Sequence, residues 1–305
     1  MIEVAVAFVD VGQGDCTIAV DRPSREALLI DCLPGREREA IAALKANGAS
    51  RLRVAFVTHQ HLDHLGSVPI VVKDFPTEEL RMNLPTHVPA DPVEAKKLRA
   101  TLLEIEGLPR IGVRLQHAEA GESGKVGDLA WEILAPDRAQ LFHAQAISQA
   151  NHASVVMKLS VSGYRILVGS DADAESWQAM LLRKADLSAD VLRVPHHGGE
   201  MTGGPVSLTS VLDAVGASVN VISVGSRNSY GHPEAGTLGA LRVRAPTSTV
   251  FCTQLNDVCA ARAVGANTAC AGTVTVLVTS TSVQITPDTA AHRRAVRALP
   301  AAQCV

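Results

Sequence analysis

Short apolar runs separated by polar, glycine-bearing turns recur along the whole chain. Val4-Ala5-Val6-Ala7-Phe8-Val9 leads into Gly12-Gln13-Gly14-Asp15, and apolar runs over 16–20 and 27–30 follow. This opening predicts successive strands joined by tight turns, with Gly-x-Gly permitting close backbone approach. Residues 54–57 are wholly apolar, as expected of a strand covered on both faces. Residues 154–161 and 165–168 predict a hairpin turning at Ser162-Gly163. Further strands are expected over 113–115, 129–134, 191–194, 219–224, 250–253 and 274–279. Helices are expected over 36–47, stopped by Gly48, and over 91–107, where Leu98, Leu102, Leu103 and Ile105 give an apolar face. Three more are expected over 137–150, 174–185 and 233–244, the last with proline at an early position that tolerates it. Two strand-rich halves with helices outside predict an α/β fold, one αββα sandwich over residues 1–286. A polar, mildly basic tail over 287–305 (His292, Arg293, Arg294, Arg297) is expected to fray or form a lone helix.

Composition narrows the picture. Apolar residues make up 47% and charged residues 19% of 305 residues, an ordinary globular balance with room for a sizeable core. Aromatics are only 3%, so Val, Leu, Ile and Ala must fill that core. A formal net charge of -3 argues against binding nucleic acid through a broad basic field, though not against a local basic groove. No stretch is apolar for long enough to cross a bilayer, and no secretory leader pattern opens the chain, which points to a cytoplasmic protein. Cys16 and Cys32 sit in apolar strand patterns as buried thiols, while Cys252, Cys259 and Cys270 have a spacing that fits no zinc ribbon or finger.

The chemistry concentrates after residues 54–58, where His59, Gln60, His61, Leu62, Asp63 and His64 spell His-x-His-x-Asp-His. A strand ending in a tight loop would aim these imidazoles and the carboxylate at one point, a donor set that suits divalent zinc, manganese or iron. Four further clusters stand at the ends of predicted strands: Asn151-His152, Asp171, His196-His197-Gly198 and Ser229-Tyr230-Gly231-His232-Pro233. A rigid scaffold presenting short loops along one edge is a natural place for a site. Taken singly, His152 reads as a capping or core histidine, His232 as a turn residue and Asp171 as a helix cap.

In order and composition these motifs resemble the metallo-β-lactamase superfamily, and within it the ComEC-type hydrolase domains and their stand-alone relatives. The resemblance runs from about Val4 to Ile285. It is carried by Phe8-Val9-Asp10-Val11-Gly12-Gln13-Gly14-Asp15, Leu29-Ile30-Asp31, the 59–64 motif, Asn151-His152-Ala153-Ser154, Gly169-Ser170-Asp171-Ala172-Asp173, Pro195-His196-His197-Gly198 and Tyr230-Gly231-His232-Pro233. It implies a two-metal site, with zinc favoured and manganese the other candidate. One ion would be held by His59, His61 and His152. The second would be held by Asp63, His64 and one histidine of the His196-His197 pair, His197 preferred, with Asp171 bridging and Asp31 orienting ligands. ComEC-type domains often carry Asp and Asn where this chain has His61 and His152. The sequence carries no segment like the membrane channel of those proteins, so DNA uptake itself is not the expected task.

The resemblance also implies a binuclear hydrolase, a phosphodiesterase or nuclease acting on DNA through a hydroxide shared by the metals. Asp63, His196 and His232 would be catalytic, with His232 and the spare histidine of the pair as proton donors. Asn228, Ser229, Tyr230 and His232 would contact the phosphate. Arg36, Arg38, Arg51, Arg53, Lys96, Lys97 and Arg99 either contact backbone phosphates or cover a solvated face. A hydrolase of a small substrate (a phosphorylcholine ester, a cyclic nucleotide or a lactone) fits the charge equally. A non-catalytic partner module is the third reading, against which the full ligand set speaks.

Overall fold

The computed structural model describes residues 1–83, 88–201, 204–244, 247–256 and 270–298. Two mixed sheets stack face to face with helices on both outer sides, the expected αββα sandwich. The eight-stranded sheet runs, edge to edge, Val283–Thr286, Val274–Thr279, Glu3–Phe8, Thr17–Asp21, Glu26–Ile30, Arg51–Val57, Glu79–Met82 and Arg114–Gln116. The seven-stranded sheet runs Thr249–Cys252, Val219–Ile222, Val191–Arg193, Tyr164–Val168, Val156–Val161, Leu129–Ala135 and Ser123–Val126.

Because both faces of the inner strands are covered, they read as continuous apolar runs rather than alternating ones. Val4, Val6 and Phe8 point into the core between the sheets, and Ala7 and Val9 point to the core under the helices. In the central core the edge of Phe56 meets Trp131 at 5.2 Å between ring centroids, and aliphatic side chains supply the bulk. Under the first sheet lie Ala40 and Leu44 of the helix Glu37–Ala46 and Val68, Val71 and Val72 of Val68–Asp74. Under the second lie Trp177 and Met180 of Ala174–Leu182, Val211 of Leu208–Val215 and Leu238 of Ala235–Arg242.

Parallel pairing decides where the chemistry lands. Glu26–Ile30 pairs in parallel with Arg51–Val57, and Tyr164–Val168, Val191–Arg193 and Val219–Ile222 form a parallel block. Parallel strands end on one edge, and ligands in α/β sheets bind beyond such carboxyl ends. The residues that follow these strands, Asp31, His59, Asp171, His196 and the 225–232 loop, therefore share one rim.

Several elements depart from the sequence expectation. Residues 68–74, for which the sequence pattern predicted no element, form a helix with proline in its first turn. Packing of Val68 and Val71 against the first sheet outweighs the weak local preference of Val and Ile. The strands Glu79–Met82, Ser123–Val126 and Val283–Thr286 were not expected, because they are short and carry too few apolar residues to give a signal. The C-terminal segment takes its helical alternative as Thr289–Arg297 and packs on the domain, where His292 stacks near Phe251 and hydrogen-bonds the Val250 carbonyl at 3.1 Å. Cys16 and Cys32 are buried free thiols, as expected, and Cys259 lies outside the described residues. No helix among the described residues is long and apolar enough to cross a membrane.

Candidate metal centre

Asp31 ties the first two strand ends together. Its Oδ1 accepts the Thr58 backbone N–H at 2.8 Å and its Oδ2 accepts the Thr58 hydroxyl at 2.6 Å. The same Oδ2 lies 2.7 Å from His64 Nδ1. With Nδ1–H donated to Asp31, the Nε2 of His64 keeps its lone pair, and it faces Asp171 Oδ1 at 3.4 Å and Asp63 Oδ2 at 4.0 Å. His197 is set in the same way from the second sheet. Its Nδ1 donates to the Ser223 carbonyl at 2.8 Å, so Nε2 faces Asp63 Oδ2 at 3.6 Å and Asp171 Oδ1 at 3.7 Å.

Three atoms thus converge in the interior: His64 Nε2, His197 Nε2 and Asp171 Oδ1. All are buried, and none has a hydrogen-bond partner. Unsatisfied buried polar atoms are costly, so three of them aimed at one another call for a ligand that takes lone pairs. A divalent cation is such a ligand, and imidazole with carboxylate is a fitting donor set. His59 completes the rim: Nε2 lies 3.0 Å from His61 Nδ1, while Nδ1 lies 3.2 Å from the Thr58 hydroxyl and 3.4 Å from that of Ser154.

The backbone is strained at the same place. Among the described residues, eight other than glycine have positive φ, and four of them (Asp31, Ser170, His196 and His197) stand at these strand ends. Each left-handed non-glycine residue costs on the order of 1–3 kcal/mol and persists where its surroundings enforce it. Gly14 answers a different need: a Cβ there would lie 2.7 Å from the Asp63 carbonyl, so only glycine lets the first turn lie against the motif.

Charges in the cluster are strongly coupled. Burial opposes ionisation of Asp171 and Asp63, but the His64 and His197 rings beside them outweigh it and hold both carboxyls well below the usual carboxylate range. Burial likewise opposes the charged ring of His64, yet Asp171, Asp31 and Asp63 raise its pKa well above the ordinary 6.5. His197 is raised against burial by Asp171 and Asp63. His59 goes the other way, pushed down by burial and by His64 and His61.

A cleft of about 240 Å³ opens over the cluster, lined by Gln13, His61, Asp63, His196, Tyr230 and His232 among others. Burial and the neighbouring His196 and His197 push His232 down to about 4, so it meets the cleft as a neutral ring. His196 is the more open member of its pair, its Nε2 standing 3.9 Å from Asp171. Tyr230 stacks at 5.7 Å on His232. Asn228 is placed otherwise than expected. Its amide donates to the carbonyls of Gly225 and His232 and accepts the His232 N–H, so it clamps its own loop, and Ser229 points to solvent.

His152 is tied to residues beside the outer helices. Its Nδ1 bonds Asp173 at 3.0 Å, which raises its pKa, and its Nε2 faces His143 at 3.2 Å. From that segment it is Ser154 that reaches His59, while also accepting the Asp171 N–H at 3.1 Å. Three of the seven basic candidates are held in ion pairs: Arg51 and Arg53 with Glu26 and Glu78, and Arg36 with Glu39. Sequence reasoning missed Arg193. Wholly buried beneath the cluster, it pairs with Asp15 and donates to the Ser170 and Val194 carbonyls at 2.9 and 3.2 Å. A buried Arg on an apolar strand has no local signature, and only the carboxylates folded around it explain it.

Comparison with known proteins agrees with this geometry. The chain is 26% identical over 254 residues to the ComE operon protein 3 of Bacillus subtilis (strain 168), a match covering 78% of this chain and 30% of the length of that protein. Among solved structures, a mutant of the CmlA beta-hydroxylase superposes with a TM-score of 0.51 at 13% identity, covering 83% of this chain and 52% of that one. YhfI of Bacillus subtilis, a metallo-beta-lactamase fold protein, superposes with a TM-score of 0.48 at 10% identity, covering 83% and 96%. The profile of the metallo-beta-lactamase superfamily matches residues 9–171, more than half of the chain, and with the same motifs converging on one sandwich edge, this chain belongs to that superfamily.

Proposed function

We propose that this chain is a metal-dependent phosphodiesterase acting on DNA. The observation that carries the reading is the convergence of the unpartnered His64 Nε2, His197 Nε2 and Asp171 Oδ1 under a cleft rimmed by histidines. Asp63, His64 and His197 are the ligands proposed for one ion, His59 and His61 for the other, and Asp171 stands between them. Bound divalent ions lower the pKa of water to near neutrality and offset charge developing on a phosphoryl oxygen. Around them the chain's own side chains position the substrate. His196 and His232 face the cleft from the second sheet and offer hydrogen bonds to phosphate or leaving-group oxygens. Tyr230 is 66% exposed at the mouth, where it can stack on a base. The motif order and the ComE relative support nucleic acid as the substrate class.

One observation favours a second reading, the hydrolase of a small phosphodiester or ester. The cleft is small, and Glu94 on its wall disfavours a polyanion. Turnover of plasmid, single-stranded DNA, RNA and a small phosphodiester, each with Zn²⁺ or Mn²⁺, separates the two. DNA cleavage that is lost in His197→Ala and Asp171→Asn supports the nuclease. Turnover confined to the small ester replaces it with the second reading. Protein that stays folded, takes up no metal and turns over nothing would leave a non-catalytic module.

A further inference from the structure

A groove of about 490 Å³ runs on from the histidine-rimmed cleft, and Asp63, Glu94 and Tyr230 line both. One wall of it is the helix Pro92–Gly107. Leu98 and Ile105 turn one stripe of that helix to the core under the first sheet. Glu94, Lys97 and Thr101, spaced i, i+3 and i+7, form a second stripe that faces the groove. At 1.5 Å of rise per residue, Lys97 stands about 4.5 Å and Thr101 about 10.5 Å beyond Glu94 along the axis. Glu94 thus marks the end at the cleft, and the other two lead away from it.

The opposite wall is apolar and fixed. Leu33, Pro34 and Leu62 line it, and Leu33 and Leu62 also pack on the core beneath. A Cβ on Gly66 would lie 2.3 Å from Pro34 Cγ, so the glycine lets the proline turn sit hard against the motif helix. Ser67 holds the same turn, its hydroxyl accepting the Gly35 N–H at 2.8 Å and donating to Glu37 at 3.0 Å. A wall pinned in this way keeps its shape without a ligand, so filling it costs little ordering. Across from it Lys97 is exposed and enters no ion pair with a described residue.

An apolar wall facing an uncommitted cation, continuous with the reaction cleft, matches the two chemistries of a nucleotide. The base brings apolar faces and the phosphate brings negative charge. In a duplex the bases cover one another's faces, so only an unpaired strand offers both at once. We propose that the groove holds the nucleoside next to the scissile phosphate of a single strand, its base on Leu33, Pro34 and Leu62 and its far phosphate at Lys97. Glu94, where groove meets cleft, can accept an exocyclic amine of the base, and the Lys97 ammonium one turn on offsets its charge. This assignment rests on the phosphodiesterase reading for its scissile bond, and it narrows the substrate from DNA at large to unpaired strands.

The test is binding of a labelled, cleavage-resistant phosphorothioate strand of about eight nucleotides to the full-length, Zn²⁺-loaded protein, read by fluorescence anisotropy over a salt series. The single strand should bind about tenfold or more tightly than the same sequence as a duplex. Ala100→Gln, which narrows the groove from the helix without adding charge or an aromatic face, should weaken single-strand binding about tenfold. Lys97→Gln should reduce the slope of log affinity against log salt by about 0.7, the share of one phosphate contact. Lys125→Gln, exposed on the strand Ser123–Val126 and lining neither cleft nor groove, should leave that slope as it was. Equal affinity for strand and duplex, or a slope that Lys97→Gln does not change, would overturn the proposal. So would turnover of a small phosphodiester by protein that binds no single strand, which leaves a hydrolase without this groove. Binding with all the expected responses but no cleavage of the ordinary phosphodiester strand would support the groove and remove the nuclease reading.

Discussion

A buried imidazole offers one nitrogen to its support and the other to its task, and the support decides which. His64 spends Nδ1 on Asp31, and His197 spends Nδ1 on the Ser223 carbonyl, so both present Nε2. Without a cation those Nε2 atoms take protons, because Asp171 and Asp63 raise both rings above 6.5. The sign follows. Their contribution to the metal-free fold is complete below pH 6.5 and is lost as pH rises through the raised values. A cation must displace these protons, so binding near pH 7 should release protons and tighten as pH rises. Calorimetric titration with Zn²⁺ in buffers of different ionisation enthalpy reads that release directly, and a buffer-independent heat would contradict it. Asp31→Asn keeps the shape but loses the charge behind His64. It should weaken metal binding about 10–100-fold in a chelator competition. Asp31, Asp63, His64, Asp171 and His197 were legible as residues because their motifs are local. Arg193 and Ser154 were not, since what makes them matter lies in contacts with distant strands.

Among the elements, the helix Ala174–Leu182 most directly holds the site. Wholly buried Trp177 fills the core under the second sheet, and its indole N–H donates to the Ala172 carbonyl at 3.2 Å, next to Asp171. Trp177→Ala should cost about 3–5 kcal/mol in urea unfolding of the metal-free protein. It should also weaken metal binding, because the Asp171 loop loses its anchor. A variant with weakened stability and full metal affinity would show that the loop is held without it. Elements with a strong period were readable: residues 36–47 and 91–107 as helices, and the hairpin at Ser162-Gly163. Residues 68–74 drew no element from the sequence, because a short run rich in Val and Ile has weak helix preference and its helix is decided by packing against the first sheet.

Across the whole molecule, metal is expected to be a structural clamp as well as a reagent. The candidate ligands come from both sheets, His64 from the first and Asp171 and His197 from the second, so an ion among them joins the two halves of the sandwich. An ion at a hundredfold excess over its dissociation constant adds about 2.7 kcal/mol to the folded state. Chelation should therefore lower the melting temperature by about 5–10 °C per ion, restored by Zn²⁺ or Mn²⁺. A melting temperature indifferent to chelator would place no ion between the sheets. What the amino-acid order determined unaided was the alternation of strands and helices and the identity of the metal-seeking motifs, since both are encoded over a few neighbouring residues. Tertiary structure alone decided which nitrogen of each ring faces the interior, that Asn228 clamps its own loop, and that His152 turns to His143. Those outcomes depend on partners tens to hundreds of residues away, whose approach is set by the register of parallel strands and by which buried polar atoms must be satisfied.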